Sequence, residues 1–300
     1  MDDSRAASPQ AGARAATQRE APPDVLQDVL PEVLVRVEHL TMAYGDKLIQ
    51  RDLHFEVRRG EVLAIIGGSG CGKSTLLRHL IGLQPPASGT VRYIGTGPTG
   101  EPLGLELSGA DPATEALLRR RFGAMFQAGA LWSSMSVGEN VMLPMELFTA
   151  LAPEERGHRA RERLAQVGLA AQFDAEPASL SGGMKKRAAI ARALALDPPL
   201  LYLDEPSAGL DPITSAQLDE LMLDLRDVHG RTIVLVSHEL DSIFAVADRV
   251  LFLDAESKTM TALGPPRELA ERGPDKVRHF LQGGRGQGNA GPGAARPRGQ

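Results

Sequence analysis

A glycine-rich stretch has the residue types and spacing of a phosphate-binding loop: Gly67-Gly68-Ser69-Gly70-Cys71-Gly72-Lys73-Ser74-Thr75. It follows the apolar run 62–66, which predicts a buried strand, and precedes residues 76–81, which predict a helix with one apolar face. The glycines let backbone N–H groups turn toward an anion, and the helix N-terminus adds unpaired N–H groups. Lys73 is suited to reach the β- and γ-phosphates, and Ser74 to offer its hydroxyl to Mg²⁺. The alternative is a turn that only joins strand to helix.

Two adjacent carboxylates, Asp204 and Glu205, follow the apolar run 200–203. In a parallel sheet, the carboxyl end of such a strand faces the phosphate loop. Asp204 is therefore expected to hold Mg²⁺, directly or through water. Glu205 is expected to act as general base toward an attacking water. The alternative is a solvated turn at a strand end.

Three further polar motifs indicate a function only when they are considered together. Ser181-Gly182-Gly183 precedes a predicted helix, so it is either a second anion-binding helix start or a capping turn alone. His238 follows the apolar run 232–236 and can donate a hydrogen bond to a γ-phosphate, although a single histidine is more often structural. Gln127 can ligate Mg²⁺ and orient water, and by itself it is an ordinary polar residue.

The elements that must position these residues alternate between strands and helices. Alternating runs at 33–40 and 53–57 predict strands ahead of the phosphate loop, and 88–94 predicts another. The Gly- and Pro-rich segment 95–112 predicts a surface loop. Residues from 113 to about 196 are predicted to form a helical insert, after which strands return at 200–203, 232–236 and 249–253. The basic run Lys185-Lys186-Arg187 is interpreted as a solvated helix face.

Composition limits the function classes. The 300 residues carry a net charge of −5, which argues against nucleic acid as a partner. No apolar run approaches the roughly 20 residues that a membrane-spanning helix needs, and the N-terminus has no signal-peptide core. Cys71 is the single cysteine, so an internal disulfide is excluded. Residues 1–32 and 283–300 are rich in Ala, Pro or Gly, and we expect both to be disordered around a domain of residues 33–282.

The set of motifs resembles the ATP-binding cassette (ABC) ATPases over about residues 33–264. By that resemblance, 67–75 is the Walker A loop, Gln127 the Q-loop, 180–183 the signature, 200–205 Walker B and His238 the switch histidine. Tyr44 corresponds to the aromatic residue that stacks on adenine. The implied fold is an α/β P-loop NTPase with a RecA-like core, an antiparallel β subdomain and a helical signature subdomain. The implied cofactors are ATP and Mg²⁺.

The stretches 125–132, 136–141, 181–189 and 211–214, with the closing 277–281, are similar to the ATPase of Mla/Mce-type phospholipid transporters. This resemblance implies a phospholipid transporter whose ATPase lies on the cytoplasmic face of the inner membrane. Its partners are then a second copy of the chain, an integral-membrane permease and an Mce-type lipid-binding subunit. Two alternatives stay open: the same ATPase serving a polar-solute permease, and a soluble cassette outside transport.

Overall fold

The computed structural model describes residues 32–96, 102–107, 109–127 and 129–283. The segments expected to be disordered, 1–32 and 283–300, lie outside these ranges except for Glu32 and Gly283. The described strands are β1 Val33–Tyr44, β2 Lys47–Arg58, β3 Val62–Gly67, β4 Ser88–Thr96, β5 Pro102–Glu106, β6 Phe122–Met125, β7 Leu200–Asp204, β8 Thr232–Val236, β9 Arg249–Asp254 and β10 Thr259–Gly264. The described helices are α1 Lys73–Leu80, α2 Pro112–Leu118, α3 Val137–Phe148, α4 Pro153–Gln166, α5 Gly182–Ala193, α6 Pro212–Asp227, α7 Leu240–Val246, α8 Pro266–Arg272 and α9 Asp275–Leu281.

An antiparallel sheet has the strand order β2-β1-β4-β5. The apolar and polar residues of β1 and β2 alternate, so one face of this pair packs into the core while the other meets solvent. The presence of β5 corrects the prediction of a surface loop at 95–112, because Leu103 pairs with Gly95 and Leu105 with Tyr93. Leucines that alternate with Gly104 and Glu106 form this strand despite the surrounding Gly and Pro residues.

The second sheet has the order β10-β9-β3-β8-β7-β6, with parallel pairing throughout except between β10 and β9. Every residue of β3, β7 and β8 is buried, as expected for strands covered on both faces. Val62, Ala64 and Ile66 face one apolar cluster, whereas Leu63 and Ile65 face the other. The carboxyl ends of these three strands therefore meet at one edge of the sheet.

The segment 113–196 contains most of α2, helices α3 to α5, strand β6 and two short 3-10 helices, Ala170–Gln172 and Pro177–Ser179, joined by loops. Strand β6 pairs in parallel with β7 and so belongs to the second sheet. A Cβ on Gly123 in β6 would lie 2.0 Å from the carbonyl oxygen of Ala193, so glycine permits the close approach of β6 to α5. Helix α3 begins with a capping box between Ser136 and Glu139. The α/β fold with its antiparallel sheet and helical segment is confirmed.

Candidate nucleotide site

A cleft of about 600 Å³ opens at the edge of the second sheet where β3, β7 and β8 end. Most residues predicted from the phosphate-loop motif line it, together with the polar residues that follow the other strands. The lining consists of Ile49, Gly67, Gly68, Ser69, Gly70, Gly72, Lys73, Ser74, Thr75, Gln127, Glu205, His238 and Phe280. The structure thus brings together residues that are up to about 230 positions apart in the chain.

The phosphate loop turns from β3 into α1 through glycines that take backbone angles other residues rarely adopt. Gly72 caps α1 with a φ of +103°, in the left-handed region. Gly67 has a φ of +146°, and a Cβ there would lie 2.3 Å from the carbonyl oxygen of Leu253. The Lys73 ammonium donates to the carbonyl oxygens of Gly67 (2.9 Å) and Gly68 (3.2 Å), so it lies across the loop. The loop can therefore present both N–H groups and a cation to a phosphate.

The underside of the loop is held by a buried amide that the sequence reasoning missed. Gln50 is fully buried, and its side chain donates to the carbonyl oxygens of Cys71 (2.7 Å) and Asp254 (3.0 Å). Cys71 is buried behind the loop, and burial raises the pKa of its thiol. The Cys71 side chain therefore supports the loop and does not line the cleft, unlike its neighbours in the motif.

A hydroxyl and a carboxylate meet beside the loop. Ser74 Oγ donates to Asp204 Oδ1 at 3.2 Å. Burial raises the pKa of Asp204, and the hydrogen bond from Ser74 opposes that shift. Oxygen donors of these two kinds match the ligand preference of Mg²⁺, and the amide of Gln127 lines the same cleft. The donor set therefore fits the magnesium ion that the motifs imply.

Glu205 and His238 form a pair at the mouth of the cleft. The Nδ1 atom of His238 lies 2.8 Å from a carboxylate oxygen of Glu205. Glu205 is 8% exposed, has a φ of +50°, and donates its N–H to the carbonyl oxygen of Val236 at 2.8 Å. Its Oε2 also lies 2.8 Å from His238 Nδ1, so both carboxylate oxygens face the imidazole. A positive φ at a residue other than glycine is a form of backbone strain that concentrates at functional sites.

Tyr44 lies beside the cleft, and its ring is outside the lining. The residue is 45% exposed. A hydrogen bond with Thr75 lowers the pKa of its phenol, and partial burial opposes that shift. Its hydrogen bond with Thr75, at the start of α1, places the ring beside the candidate nucleotide site.

The signature residues lie elsewhere on the surface. Ser181 caps α5 and accepts a hydrogen bond from the N–H of Met184 at 3.2 Å. Ser181 and Gly182 are exposed, whereas Gly183 is buried against Thr214, whose Cγ2 would lie 2.4 Å from a Cβ at Gly183. Within one chain, the structure does not bring these three residues into the cleft lining.

Comparison with known families matches residues 50–208, just over half of the chain, to the model of the ABC transporter family. The chain belongs to the ABC transporter family. It carries an ABC ATPase domain, as the motifs predicted.

Curated relatives of this ABC ATPase domain come from several bacteria. The methionine import ATP-binding protein MetN of Rhizobium johnstonii is 42% identical over 229 residues, which are 76% of this chain and 60% of that protein. The probable ribonucleotide transport ATP-binding protein mkl of Mycobacterium leprae is 35% identical over 253 residues, 84% of this chain and 70% of the relative. The chain thus spans about 60% of the length of the MetN relatives. Neither of these two names refers to phospholipid transport.

Solved ABC structures share the fold. The cassette MJ0796, in a dimeric structure of a bacterial ABC transporter cassette, has a TM-score of 0.66 and 28% identity, with 77% of this chain and 98% of that chain covered. The same cassette is known in a post-hydrolysis state bound to ADP and Pi. The cbiO1 protein of Clostridium perfringens, part of the complex cbiONQ, has a TM-score of 0.69 and 30% identity, with 81% and 92% covered.

Besides Gln50, three further contributors to this candidate site were not predicted, or were predicted wrongly. Ile49 and Phe280 line the cleft. Ile49 lies outside every motif, and Phe280 was named only within the closing segment 277–281, with no role at this site. The interpretation of Lys186 as part of a solvated helix face is wrong. Lys186 is half-buried, and its ammonium donates to the carbonyl oxygens of Gln127 and Glu205. Backbone carbonyls as partners leave no trace in the sequence.

Proposed function

We propose that this chain is the ATP-hydrolysing subunit of a membrane transporter. The observation that supports this function best is the meeting of four groups around one phosphate loop: the Ser74 hydroxyl, the Asp204 carboxylate, and the Glu205–His238 pair. Such a site supplies a cation for the phosphates, oxygen ligands for a divalent ion and a base for water. These are the parts that phosphoryl transfer to water requires.

The proposed reaction assigns one task to each side chain. Lys73 neutralises charge that develops on the γ-phosphate, while Ser74 and Asp204, with Gln127, would hold Mg²⁺. A bound Mg²⁺ supplies charge neutralisation on the phosphate oxygens. Glu205 accepts a proton from the attacking water, since its carboxylate lines the cleft beside the phosphate loop. His238 orients the Glu205 carboxylate through their 2.8 Å contact and donates to the phosphate.

The proposed site is completed by a second copy of the chain. Ser181 and Gly182 are exposed and lie outside the cleft of their own chain. The N-terminus of α5 carries free N–H groups that suit a phosphate. In the proposed dimer, Ser181-Gly182-Gly183 of one chain contacts the nucleotide held in the other. The dimeric structure of the related cassette MJ0796 supports this arrangement.

The proposed cargo is a small polar solute carried by a separate permease. In the part of the chain that the structure describes, no helix is both long and apolar enough to cross a bilayer. The curated relatives named above are described for methionine import and ribonucleotide transport, which supports the polar-solute alternative over the phospholipid interpretation. The proposed position is the cytoplasmic face of the membrane, where ATP is supplied.

Phospholipid transport stays as the second candidate because of one exposed aromatic side chain. Trp132 is 60% exposed and follows Gln127 by five residues. An exposed tryptophan is suited to anchor an apolar partner segment. In that case the partners would be a permease and an Mce-type lipid-binding subunit, as the sequence resemblance implies.

Affinity purification of the tagged chain from membranes of its host tests these alternatives. Recovery of a permease with a solute-binding protein would support the proposed polar cargo. Recovery of a permease with an Mce-type subunit and phospholipid would favour the second candidate. If the purified chain hydrolyses ATP but no integral-membrane protein is recovered with it, both transport candidates are contradicted and a soluble cassette remains.

A further inference from the structure

Lys186 joins three parts of the chain that are far apart in sequence. It lies in the second turn of α5, five residues after Ser181. Its ammonium donates to the carbonyl oxygen of Gln127 at 2.6 Å and to that of Glu205 at 3.1 Å. The two acceptors belong to the segments that bring Gln127 and Glu205 to the cleft. One side chain therefore fixes both segments relative to α5.

The surroundings of Lys186 differ from those of an ordinary surface lysine. Burial lowers the pKa of its ammonium, and the nearby carboxylates of Glu205, Asp204 and Glu239 oppose that shift. A partly desolvated cation forms stronger hydrogen bonds to carbonyl oxygens than a neutral donor does. Lys186 also donates to the backbone carbonyl of Glu205. This residue has a φ of +50°, a strained backbone conformation that contacts with its neighbours must stabilise.

A second cationic side chain of α5 binds the backbone just after Gln127. Arg192 donates to the carbonyl oxygens of Ala130 (2.6 Å) and Gly129 (2.8 Å). Burial lowers the pKa of this guanidinium, which again marks a partly desolvated cation. Helix α5 therefore contacts the backbone at and after Gln127 through two side chains, which lie about 1.7 turns apart on the helix. Lys185, the neighbour of Lys186, is exposed.

We propose that Lys186 is a positioning residue, which sets the places of Gln127 and Glu205 relative to helix α5. This inference rests on the proposed ATPase function. Because Ser181 caps α5, a shift of this helix on contact with the second chain's nucleotide would be transmitted through Lys186 to Glu205 of its own site. Each site then responds to engagement of its own signature segment.

The test compares Lys186→Met with Lys185→Met in the full-length chain, by steady-state ATPase kinetics. The two substitutions remove the same charge from adjacent positions of α5, but only Lys186 contacts the two carbonyls. We expect Lys186→Met to lower kcat by about tenfold or more, the factor carried by one hydrogen bond to a charged group, with KM for ATP changed by less than about threefold. Lys185→Met should match the wild type, and Lys186→Arg should regain part of kcat.

Several outcomes would overturn the inference. Equal kcat in Lys186→Met and Lys185→Met would do so, as would a loss confined to KM, or an arginine variant no better than methionine. If Lys186→Met does not fold, Lys186→Gln carries the same comparison, because its amide can donate to one carbonyl but has no charge. A wild-type chain without turnover would instead refute the proposed ATPase function itself.

Discussion

Two neighbouring glycines of the phosphate loop should respond very differently to the same substitution. In Gly67→Ala, the added Cβ would lie 2.3 Å from the carbonyl oxygen of Leu253 and 2.8 Å from Cys71 Sγ. The φ of +146° at Gly67 is also one that alanine rarely adopts. In Gly68→Ala, the Cβ would meet nothing within 4 Å, and the backbone is not in the positive-φ range.

The expected cost follows from these distances. The first obstacle is the backbone of β9, which cannot move aside without disturbing its pairing with β3. Overpacking of a tight site costs about 1–3 kcal/mol. Backbone strain adds about 1–3 kcal/mol. Gly67→Ala should therefore lower the free energy of unfolding by about 2–6 kcal/mol, out of a typical total of about 5–15 kcal/mol. Gly68→Ala should change it by less than about 1 kcal/mol, in the stabilising direction.

Equilibrium urea unfolding without nucleotide, followed by far-ultraviolet circular dichroism, measures both variants. The absence of nucleotide separates folding from any change in ATP binding. Equal midpoints for the two variants would refute the close packing of Gly67 against β9. A strongly destabilised Gly68→Ala would refute the open position assigned to that residue.

Two further predictions concern Glu205 and Lys276. Glu205→Gln keeps the side-chain shape but cannot take a proton, so turnover should fall by about 10²–10⁴-fold while Mg-ATP binding persists; size exclusion should then show an ATP-dependent dimer, and a variant that stays monomeric with ATP would contradict the composite site. The hydrogen bond from Lys276 holds the pKa of Asp254 well below its usual range. The pair therefore stabilises the fold fully at pH values above the pKa of an aspartate in the unfolded chain, about 3.9. This stabilisation is lost as the pH falls through the lower pKa of Asp254 in the folded chain. Lys276→Met should therefore differ from wild type in urea midpoint more at pH 7 than at pH 3, and an equal difference at both pH values would argue against the pair.

The phosphate-loop and strand-end residues were predictable because short local sequence motifs indicate their chemistry. Lys73 and Ser74 begin the helix after the buried strand β3, and Asp204 and Glu205 stand at the end of the buried strand β7. Parallel pairing then brings the ends of these strands to one edge. The topology supplies the convergence, so residue type and position relative to a strand were sufficient.

The residues that support or complete the site were not predictable in this way. Gln50 lies 204 positions from the Asp254 carbonyl that it contacts, and nothing in the sequence joins them. Phe280 reaches the cleft because α9 packs on β9, where its ring lies 5.3 Å from that of Phe252. The basic run containing Lys186 was interpreted from charge alone, which cannot show that one lysine of the run turns inward toward backbone carbonyls.

The most direct test of the central claim compares phosphate release from ATP by the purified wild-type chain and by the Lys73→Ala variant. Lys73 spans the loop and contributes a cation to the cleft lining. With Mg²⁺ present, the wild-type chain should turn over ATP, and the folded variant should be slower by about 10²–10³-fold, the usual cost of one lost electrostatic contact to the transition state. Near-equal turnover by the two proteins would contradict the assignment of this cleft as the site of ATP hydrolysis.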